Sequence, residues 1–262
     1  QVPAGRWTLR SPAAEAGAEA ISLRVRHGGF VLSADLFDCS FCGVSPAEAG
    51  AMDPQQRLLL ERGYEALHEA SLTRSSLLGS LTGVFVGIAA SDYAELLRAS
   101  PAGASVYAAT GSAHSIASGR LSYELGLHGP CVSYDTSCSA ALAASHAALR
   151  SVQRGECTPG LVAAVNVLLV PGVGWSFALA GMTSAGGRSH TFDARADGYA
   201  RAEACGASAL RAAGRQERQP HRAERARAAG AAERGAVRRG ERAVGAGLRR
   251  GAWHGHGTRR PD

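Results

Sequence analysis

The residue best placed for covalent chemistry is Cys138, within residues 135–140 (Asp-Thr-Ser-Cys-Ser-Ala). Residues 130–134 before it have the composition of a short, mostly buried strand, and residues 140–154 have helical composition that stops at Gly155. A thiol at a helix N-terminus faces unpaired backbone N–H groups and the positive end of the helix dipole, which both favour a thiolate. An isolated cysteine is more often an inert core residue, but this setting predicts a nucleophile.

The elements around this cysteine predict an α/β core. Asp53 is a good N-cap and Pro54 suits a first helical turn, and apolar residues recur at helical spacing from Leu59 to Leu67. Residues 82–88 and 161–169 are apolar, β-branched runs typical of buried strands in a parallel or mixed sheet. Strands therefore alternate with helices, as in α/β proteins.

The run around Cys138 resembles the nucleophile motif of β-ketoacyl synthases, Asp-Thr-Ala-Cys-Ser-Ser, and specifically that of polyketide synthase ketosynthase domains. Further segments resemble family motifs in the same order along the chain. They are residues 26–30, 37–38, 43–49, 52–61, 110–123, 181–184, 187–188 and 191–199. Ordered motifs across most of residues 2–210 make the resemblance specific, whereas one motif alone would be weak.

This resemblance implies a thiolase-like, layered α/β/α/β/α fold, of which the chain covers mainly the N-terminal half and is incomplete at both ends. It implies a decarboxylative Claisen condensation of acyl and malonyl-type thioesters in polyketide biosynthesis, with Cys138 as the acyl-accepting nucleophile. In the family, two histidines from the second half assist decarboxylation, and backbone N–H groups, one from the cysteine, form the oxyanion hole. The alternatives are a fatty-acid synthase condensing enzyme and an inactive remnant that binds carrier protein or dimerises.

The resemblance also sets expectations for partners. It implies acyl carrier protein bearing acyl and malonyl groups on phosphopantetheine, a homodimer when intact, and a cytoplasmic location by class. No cofactor, metal or nucleic acid is expected. No apolar run of eighteen residues and no signal pattern occurs, so no membrane association is expected, although a targeting segment could precede this sequence.

The remaining cysteines and histidines do not match catalytic positions. Cys39 and Cys42 form a lone Cys-x-x-Cys pair without a second pair, so we expect core packing and no metal or disulfide. Core packing is likewise expected for Cys131, Cys157 and Cys205. The neighbours of His254 and His256 differ from the family's, and no other histidine matches a catalytic position. His114, inside a motif, is expected to pack or to form hydrogen bonds.

Small departures from the family pattern fall at two motifs. Ala202 and Ala204 flank Glu203 where the family has glycines, and each would cost on the order of 1 kcal/mol if its position needed a positive φ or were tightly packed. Ser137 precedes the nucleophile where alanine is usual, and it should be tolerated.

Composition divides the chain into residues 1–211, the partial synthase region, and residues 212–262, an Arg/Ala/Gly-rich tail. The tail carries 13 arginines and five acidic residues, a charge of +8, so the preceding body carries −2 of the total +6. A basic arm for nucleic acid is one interpretation. We favour another: GC-rich codons for residues 251–262, read one nucleotide later, can encode Ala-His-Gly-Thr-Gly-Thr-Ala-Arg-Gly-Asp-Pro, the family's first histidine motif.

The same shift over residues 219–229 can encode the family segment that precedes that motif, and all 28 basic residues of the chain are arginine, as a GC-rich gene allows. The tail is therefore predicted to be out-of-frame translation, disordered and without a core. We expect the printed chain to be inactive in complete condensation, and its folding is in doubt because the second half that should cover its apolar surface is missing.

Overall fold

The computed structural model describes residues 2–3, 6–7, 18–89 and 91–212 of the 262-residue chain. Its helices are α1 (Ala18–Val25), α2 (Pro46–Ala51), α3 (Pro54–Glu69), α4 (Arg74–Leu77), α5 (Tyr93–Arg98), α6 (Ala108–Gly111), α7 (His114–Glu124), α8 (Ala140–Arg154) and α9 (Gly172–Leu179). Short 3-10 helices occupy Pro101–Ala104 and Ser137–Ser139. The strands are β1 (Gly83–Gly87), β2 (Cys131–Tyr134), β3 (Gly160–Asn166) and β4 (Ala204–Leu210). The predicted tail, with His254 and His256, lies beyond Ala212 and so outside the described residues.

The four strands form one mixed sheet in the order β2-β1-β3-β4. Strands β2, β1 and β3 run parallel, and β4 pairs antiparallel with β3 from Gly160↔Leu210 to Asn166↔Ala204. The predicted strands at 82–88 and 161–169 are confirmed as β1 and β3. The strand predicted at 130–134 is confirmed as β2, but the expectation that it is mostly buried is wrong. Among the described strands β2 bonds only to β1, so it lies at the edge and exposes Cys131 and Val132.

Side chains that alternate along β1 separate two cores on opposite faces of the sheet. Val84 and Val86 join a core with α3 and α7, which both contact the sheet, whereas Phe85 joins a core with Ala144 and Ala148 of α8. Residues 18–212 therefore contain three layers: α3 with α7, the sheet, and α8. The predicted α/β class is confirmed.

Helix α3 follows the predicted pattern. It begins after Asp53, whose side chain accepts a hydrogen bond from the Gln55 N–H at 2.8 Å, and Pro54 occupies its first turn. Leu59 and Leu67 on its inner face are fully buried. Burial raises the pKa of the Asp53 carboxyl, which is also hydrogen-bonded by the Ser91 hydroxyl. This helix supports the face of the sheet opposite α8.

Candidate active site

Cys138 lies in the turn that connects the end of β2 to the start of α8. Strand β2 ends at Tyr134, the 3-10 turn Ser137–Ser139 contains the cysteine, and α8 begins at Ala140. The predicted setting between strand and helix is confirmed, and α8 ends at Arg154 with Gly155 in the left-handed conformation (φ 74°), as its sequence indicated. The Cys138 side chain is exposed, as is the whole turn from residue 135 to residue 139. The thiol is therefore open to a substrate.

Short-range hydrogen bonds fix the conformation of this turn. The Ser137 N–H donates to Asp135 Oδ1 at 3.0 Å, and the Ser139 hydroxyl donates to the Thr136 carbonyl at 2.9 Å. Ser137 has a φ of 55°, in the left-handed region that non-glycine residues seldom adopt. Ser139, the N-cap residue of α8, forms no side-chain cap, and the Ala140 N–H donates to the Ser137 carbonyl. Cys138 is thus held at a helix start that has no side-chain cap.

Helix α8 is held against the sheet by small residues. Ala144 and Ala148 have no exposed surface, and Ala140 is 5% exposed. These residues face β1 and β3, while Leu142 and Leu149 on the other side are exposed. Small side chains let the helix backbone approach the strands closely, so the position of Cys138 follows the position of the sheet.

The carboxyl ends of the parallel strands place three segments at the same edge of the sheet: the Cys138 turn after β2, residues 88–89 with 91–92 after β1, and residues 167–170 after β3. Ligand sites of α/β sheets form at this edge. Buried carboxylates hold residues 167–170 in place by accepting hydrogen bonds from their backbone N–H groups. Glu203 Oε1 accepts from the Leu168 N–H at 2.8 Å, and Asp92 Oδ2 accepts from the Leu169 and Val170 N–H groups at 3.0 and 3.2 Å.

The sequence did not identify these carboxylates as supports of the site. Asp92 is 7% exposed and Glu203 is 7% exposed, and each binds backbone groups far away in the chain. Glu203 Oε2 also accepts from the Val31 N–H and forms a 2.8 Å ion pair with Arg6. In the sequence Glu203 stands out only for its alanine neighbours. The signal that could have identified Glu203 is an acidic residue directly before the mostly apolar strand β4.

A cavity of about 320 Å³ opens beside β2, between that strand and the start of α7. Its lining residues are Ile88, His114, Ser115, Ser118, Cys131, Val132, Ser133, Tyr134 and Asp135. His114, for which packing or hydrogen bonding was predicted, lines it half-buried, and its Nε2 atom has no hydrogen-bond partner among the described residues. Of the two predicted roles, His114 shows packing against the cavity wall, and its Nε2 atom forms no hydrogen bond with a described residue.

The other cysteines divide into buried and exposed thiols. Cys42 and Cys157 are buried, and Cys39 and Cys205 are half-buried against the core, as predicted. Burial raises the pKa of the Cys42 thiol to about 11 and that of the Cys205 thiol to about 12. The prediction that Cys131 is a core thiol is wrong, because it lies at the exposed edge of the sheet. Among the described residues, Cys131 and Cys138 are therefore the two cysteines with exposed side chains.

The surroundings of Cys138, the metal-ligand side chains and the helix lengths can each be checked over the described residues. Within residues 2–3, 6–7, 18–89 and 91–212, no hydrogen bond joins Cys138 to a histidine, and no group of three or more His, Cys, Asp or Glu side chains could hold a metal ion. Over the same ranges no helix has both the length and the apolar character needed to cross a membrane.

Comparison with known proteins identifies this arrangement. The family described as "Beta-ketoacyl synthase, N-terminal domain" matches residues 1–214. The spectinabilin polyketide synthase system protein NorC of Streptomyces orinoci is 44% identical over 197 residues, and the mycocerosic acid synthase-like polyketide synthase of Mycolicibacterium smegmatis is 41% identical over 208 residues. These alignments cover 75% and 78% of this chain but only 9% and 10% of those proteins.

Solved structures agree with the sequence relatives. The ketosynthase from module 6 of the bacillaene synthase of Bacillus subtilis 168 matches with a TM-score of 0.70 and 30% identity, over 81% of this chain and 34% of that chain. The oxazolomycin ketosynthase domain OzmH KS7 of Streptomyces albus JA3453 matches with a TM-score of 0.69 and 31% identity, over 81% and 37%. The thiolase-like fold expected from the sequence is therefore confirmed, and the chain spans about a third of each ketosynthase. With its open cysteine between an edge strand and a small-residue helix, the chain belongs to the β-ketoacyl synthase family of polyketide synthases.

Proposed function

We propose that this chain is part of a polyketide synthase ketosynthase and that Cys138 is its acyl-accepting nucleophile. The observation that carries the proposal is the exposed Cys138 thiol in a hydrogen-bonded turn between β2 and the start of α8, whose N-cap residue forms no side-chain cap. The relatives named above are polyketide synthases, which favours this function over a condensing enzyme of fatty-acid synthesis.

The chemistry assigned to Cys138 is acyl transfer followed by carbon–carbon bond formation. Its thiolate attacks the acyl thioester of a carrier protein, forms the Cys138 thioester, and releases the phosphopantetheine thiolate, which takes up a proton. A malonyl thioester then loses CO₂, and the resulting enolate attacks the Cys138 thioester carbonyl and expels the Cys138 thiolate. Backbone N–H groups, that of Cys138 among them, would stabilise the oxyanion of each addition.

Only the first of these steps is expected of the chain itself. The two family histidines that assist decarboxylation have no counterpart in residues 1–212. We therefore expect the full 262-residue chain to accept an acyl group on Cys138 without extending it. Turnover of acyl and malonyl carrier proteins by this chain would contradict that expectation.

Acyl transfer to Cys138 can be measured directly. The folded full chain is incubated with hexanoyl-pantetheine, and peptide mass spectrometry locates the hexanoyl group. We expect it on Cys138, with complete loss in Cys138→Ala and no loss in the matched exposed-thiol variant Cys131→Ala. A hexanoyl group that persists in Cys138→Ala would remove the nucleophile assignment. In a ketosynthase that contains both halves, Cys138→Ala is likewise expected to abolish condensation.

A second candidate function is a non-catalytic module that binds carrier protein or dimerises. Calorimetry with acyl carrier protein separates the two functions. Binding with no acylation of Cys138 supports the non-catalytic module, and acylation of Cys138 excludes it.

The exposed edge of β2 also supports self-association of the chain. In the described sheet β2 bonds on one side only, and the exposed Val132 (39%) lies beside the 320 Å³ cavity. Unpaired strand edges pair readily with another strand. We infer a homodimer paired through β2, and light scattering should find a dimer for the unmodified chain and a monomer for Val132→Lys. A dimer in both would place the interface elsewhere.

The origin of residues 212–262 is a separate proposal. The family match stops at residue 214, and a single shift of reading frame can restore two family segments from the sequence beyond it. We propose that a frameshift near residues 211–214 produced this tail. Sequencing the transcript decides the matter, since codons without a one-base relation to the family segments would exclude a frameshift.

A further inference from the structure

We propose that Gly87, the last residue of β1, is a positioning residue for Cys138. This inference rests on the proposed nucleophile role of Cys138. It concerns a contact that neither the sequence motifs nor the comparisons point to. Gly87 pairs with the strand residue before the nucleophile turn, and the absence of its side chain leaves room for the helix backbone after that turn.

The first contact is at the entry to the turn. In the parallel pairing of β1 with β2, Gly87 is opposite Tyr134, the residue at which β2 ends. The next residue, Ile88, donates its N–H to the Tyr134 carbonyl at 3.0 Å. The end of β1 therefore fixes the backbone directly before Asp135.

The second contact is at the exit from the turn. A Cβ atom on Gly87 would lie 2.7 Å from the Ala141 nitrogen, 2.8 Å from the Ala140 carbonyl carbon and 2.9 Å from its oxygen. Ordinary contact begins near 3.4 Å, and all three atoms belong to the backbone of the first turn of α8. Gly87 is not in the left-handed region, so space rather than conformation is what excludes a side chain. A methyl group there must move α8 away from β1.

Other strand glycines provide matched controls. A Cβ on Gly160 in β3 would meet the Val152 Cγ2 atom at 3.3 Å and the Ala148 Cβ atom at 3.6 Å, under the C-terminal half of α8. A Cβ on Gly83, at the start of β1, would meet the side chains of Phe85 and Cys157. Neither presses on the backbone that follows Cys138. Gly87 thus differs from glycines in the same sheet by what it touches.

The experiment compares Gly87→Ala with Gly160→Ala and Gly83→Ala in the full chain. Alkylation by iodoacetamide is followed by peptide mass spectrometry from pH 6 to pH 10, with Cys131 as the internal reference thiol. We expect Gly87→Ala to lower the Cys138 rate about tenfold and to change its pH profile, because displacements near 1 Å can cost up to about a hundredfold. The Cys131 rate, and both rates in the control variants, should stay within about twofold of the unmodified chain.

An unchanged ratio of Cys138 to Cys131 rates in folded Gly87→Ala overturns the inference. If circular dichroism shows that Gly87→Ala does not fold, the same ratio of rates is measured in Ala140→Ser. This variant enlarges the buried side chain at the start of α8. A several-fold fall in the same ratio supports the inference, and no fall overturns it. Failure of the proposed function would be seen in a different experiment, because the unmodified chain would then take up no hexanoyl group on Cys138.

Discussion

The edge of the sheet and its interior place cysteine in opposite environments. At the β2 edge, Cys131 and Cys138 are exposed, whereas Cys42, Cys157 and Cys205 lie against the buried cores. Burial raises the pKa of each of the interior thiols. The interior therefore keeps its cysteines as neutral packing groups, while the edge presents thiols that can react.

The two edge thiols differ from each other as well. Cys131 begins β2, and Cys138 follows its carboxyl end, where α8 starts without a side-chain cap. A strand residue has no helix terminus beside it, so only Cys138 combines exposure with a helix N-terminus. This comparison teaches that position relative to the strand end, and not exposure alone, distinguishes the proposed nucleophile.

The largest expected effect is the difference in thiol reactivity between edge and interior. At pH 8 a thiol with a pKa near 11 is ionised in only about one molecule in a thousand. We expect iodoacetamide to modify Cys138 and Cys131 while Cys42 and Cys205 react at least about a hundredfold more slowly in the folded chain. Cys42 modification should rise as the pH approaches 11, because deprotonation there releases the thiolate.

Peptide mass spectrometry of the native chain measures these rates, and the same chain in urea is the control in which all thiols should react alike. Equal rates for Cys42 and Cys138 in the folded chain would mean that the interior is open to solvent. That result would remove the contrast between the two regions.

The second effect concerns stability, and it should be large in the interior. Glu203→Ala removes the carboxylate that binds Arg6 and the N–H groups of Val31 and Leu168. Because the buried Leu168 N–H and the half-buried Val31 N–H and Arg6 guanidinium would lose their acceptor, we expect the free energy of unfolding to fall by about 3 kcal/mol. Urea unfolding measures it.

The control for this prediction is an exposed ion pair on α3. The side chains of Arg62 and Glu65 are 49% and 51% exposed, so Glu65→Ala should change the free energy of unfolding by no more than about 0.5 kcal/mol. Equal losses in Glu203→Ala and Glu65→Ala would show that Glu203 does not anchor the segment after β3.

Local patterns predicted the parts of the molecule that depend on neighbours in sequence. The cap at Asp53, the end of α8 at Gly155 and the place of Cys138 between strand and helix all follow from residue types a few positions apart. The exposed edge at Cys131 was not predicted, because it depends on which strands pair. The role of Glu203 was missed for the same reason, since its partners Arg6, Val31 and Leu168 are distant in sequence.

One expectation drawn from family glycines does not apply to this chain. Ala202 and Ala204 were expected to carry strain if their positions required a positive φ. Within the described residues the non-glycine residues with positive φ are Ser33, Ser71 and Ser137, so neither alanine carries that strain. The strained residue near the candidate site is instead Ser137, beside the proposed nucleophile Cys138.

The smallest expected effect comes from substitutions of Ser137, in the turn that precedes Cys138. The Ser137 side chain makes no hydrogen bond among the described residues, since its bond to Asp135 comes from the backbone N–H. Ser137→Ala should therefore change the free energy of unfolding by less than about 0.5 kcal/mol and leave the alkylation rate of Cys138 unaltered. Ser137→Val keeps the φ of 55° only at greater strain, because a branched Cβ is disfavoured there, and should cost about 1–2 kcal/mol.

Urea unfolding together with the ratio of Cys138 to Cys131 alkylation reads out both variants. If the turn is positioned by its backbone, Ser137→Val must lower that ratio as well as stability, since relief of the strain rotates the peptide that leads into Cys138. A valine variant with the unmodified ratio would mean that the left-handed residue is incidental to the thiol, and that β1 and α8 alone hold Cys138 in place.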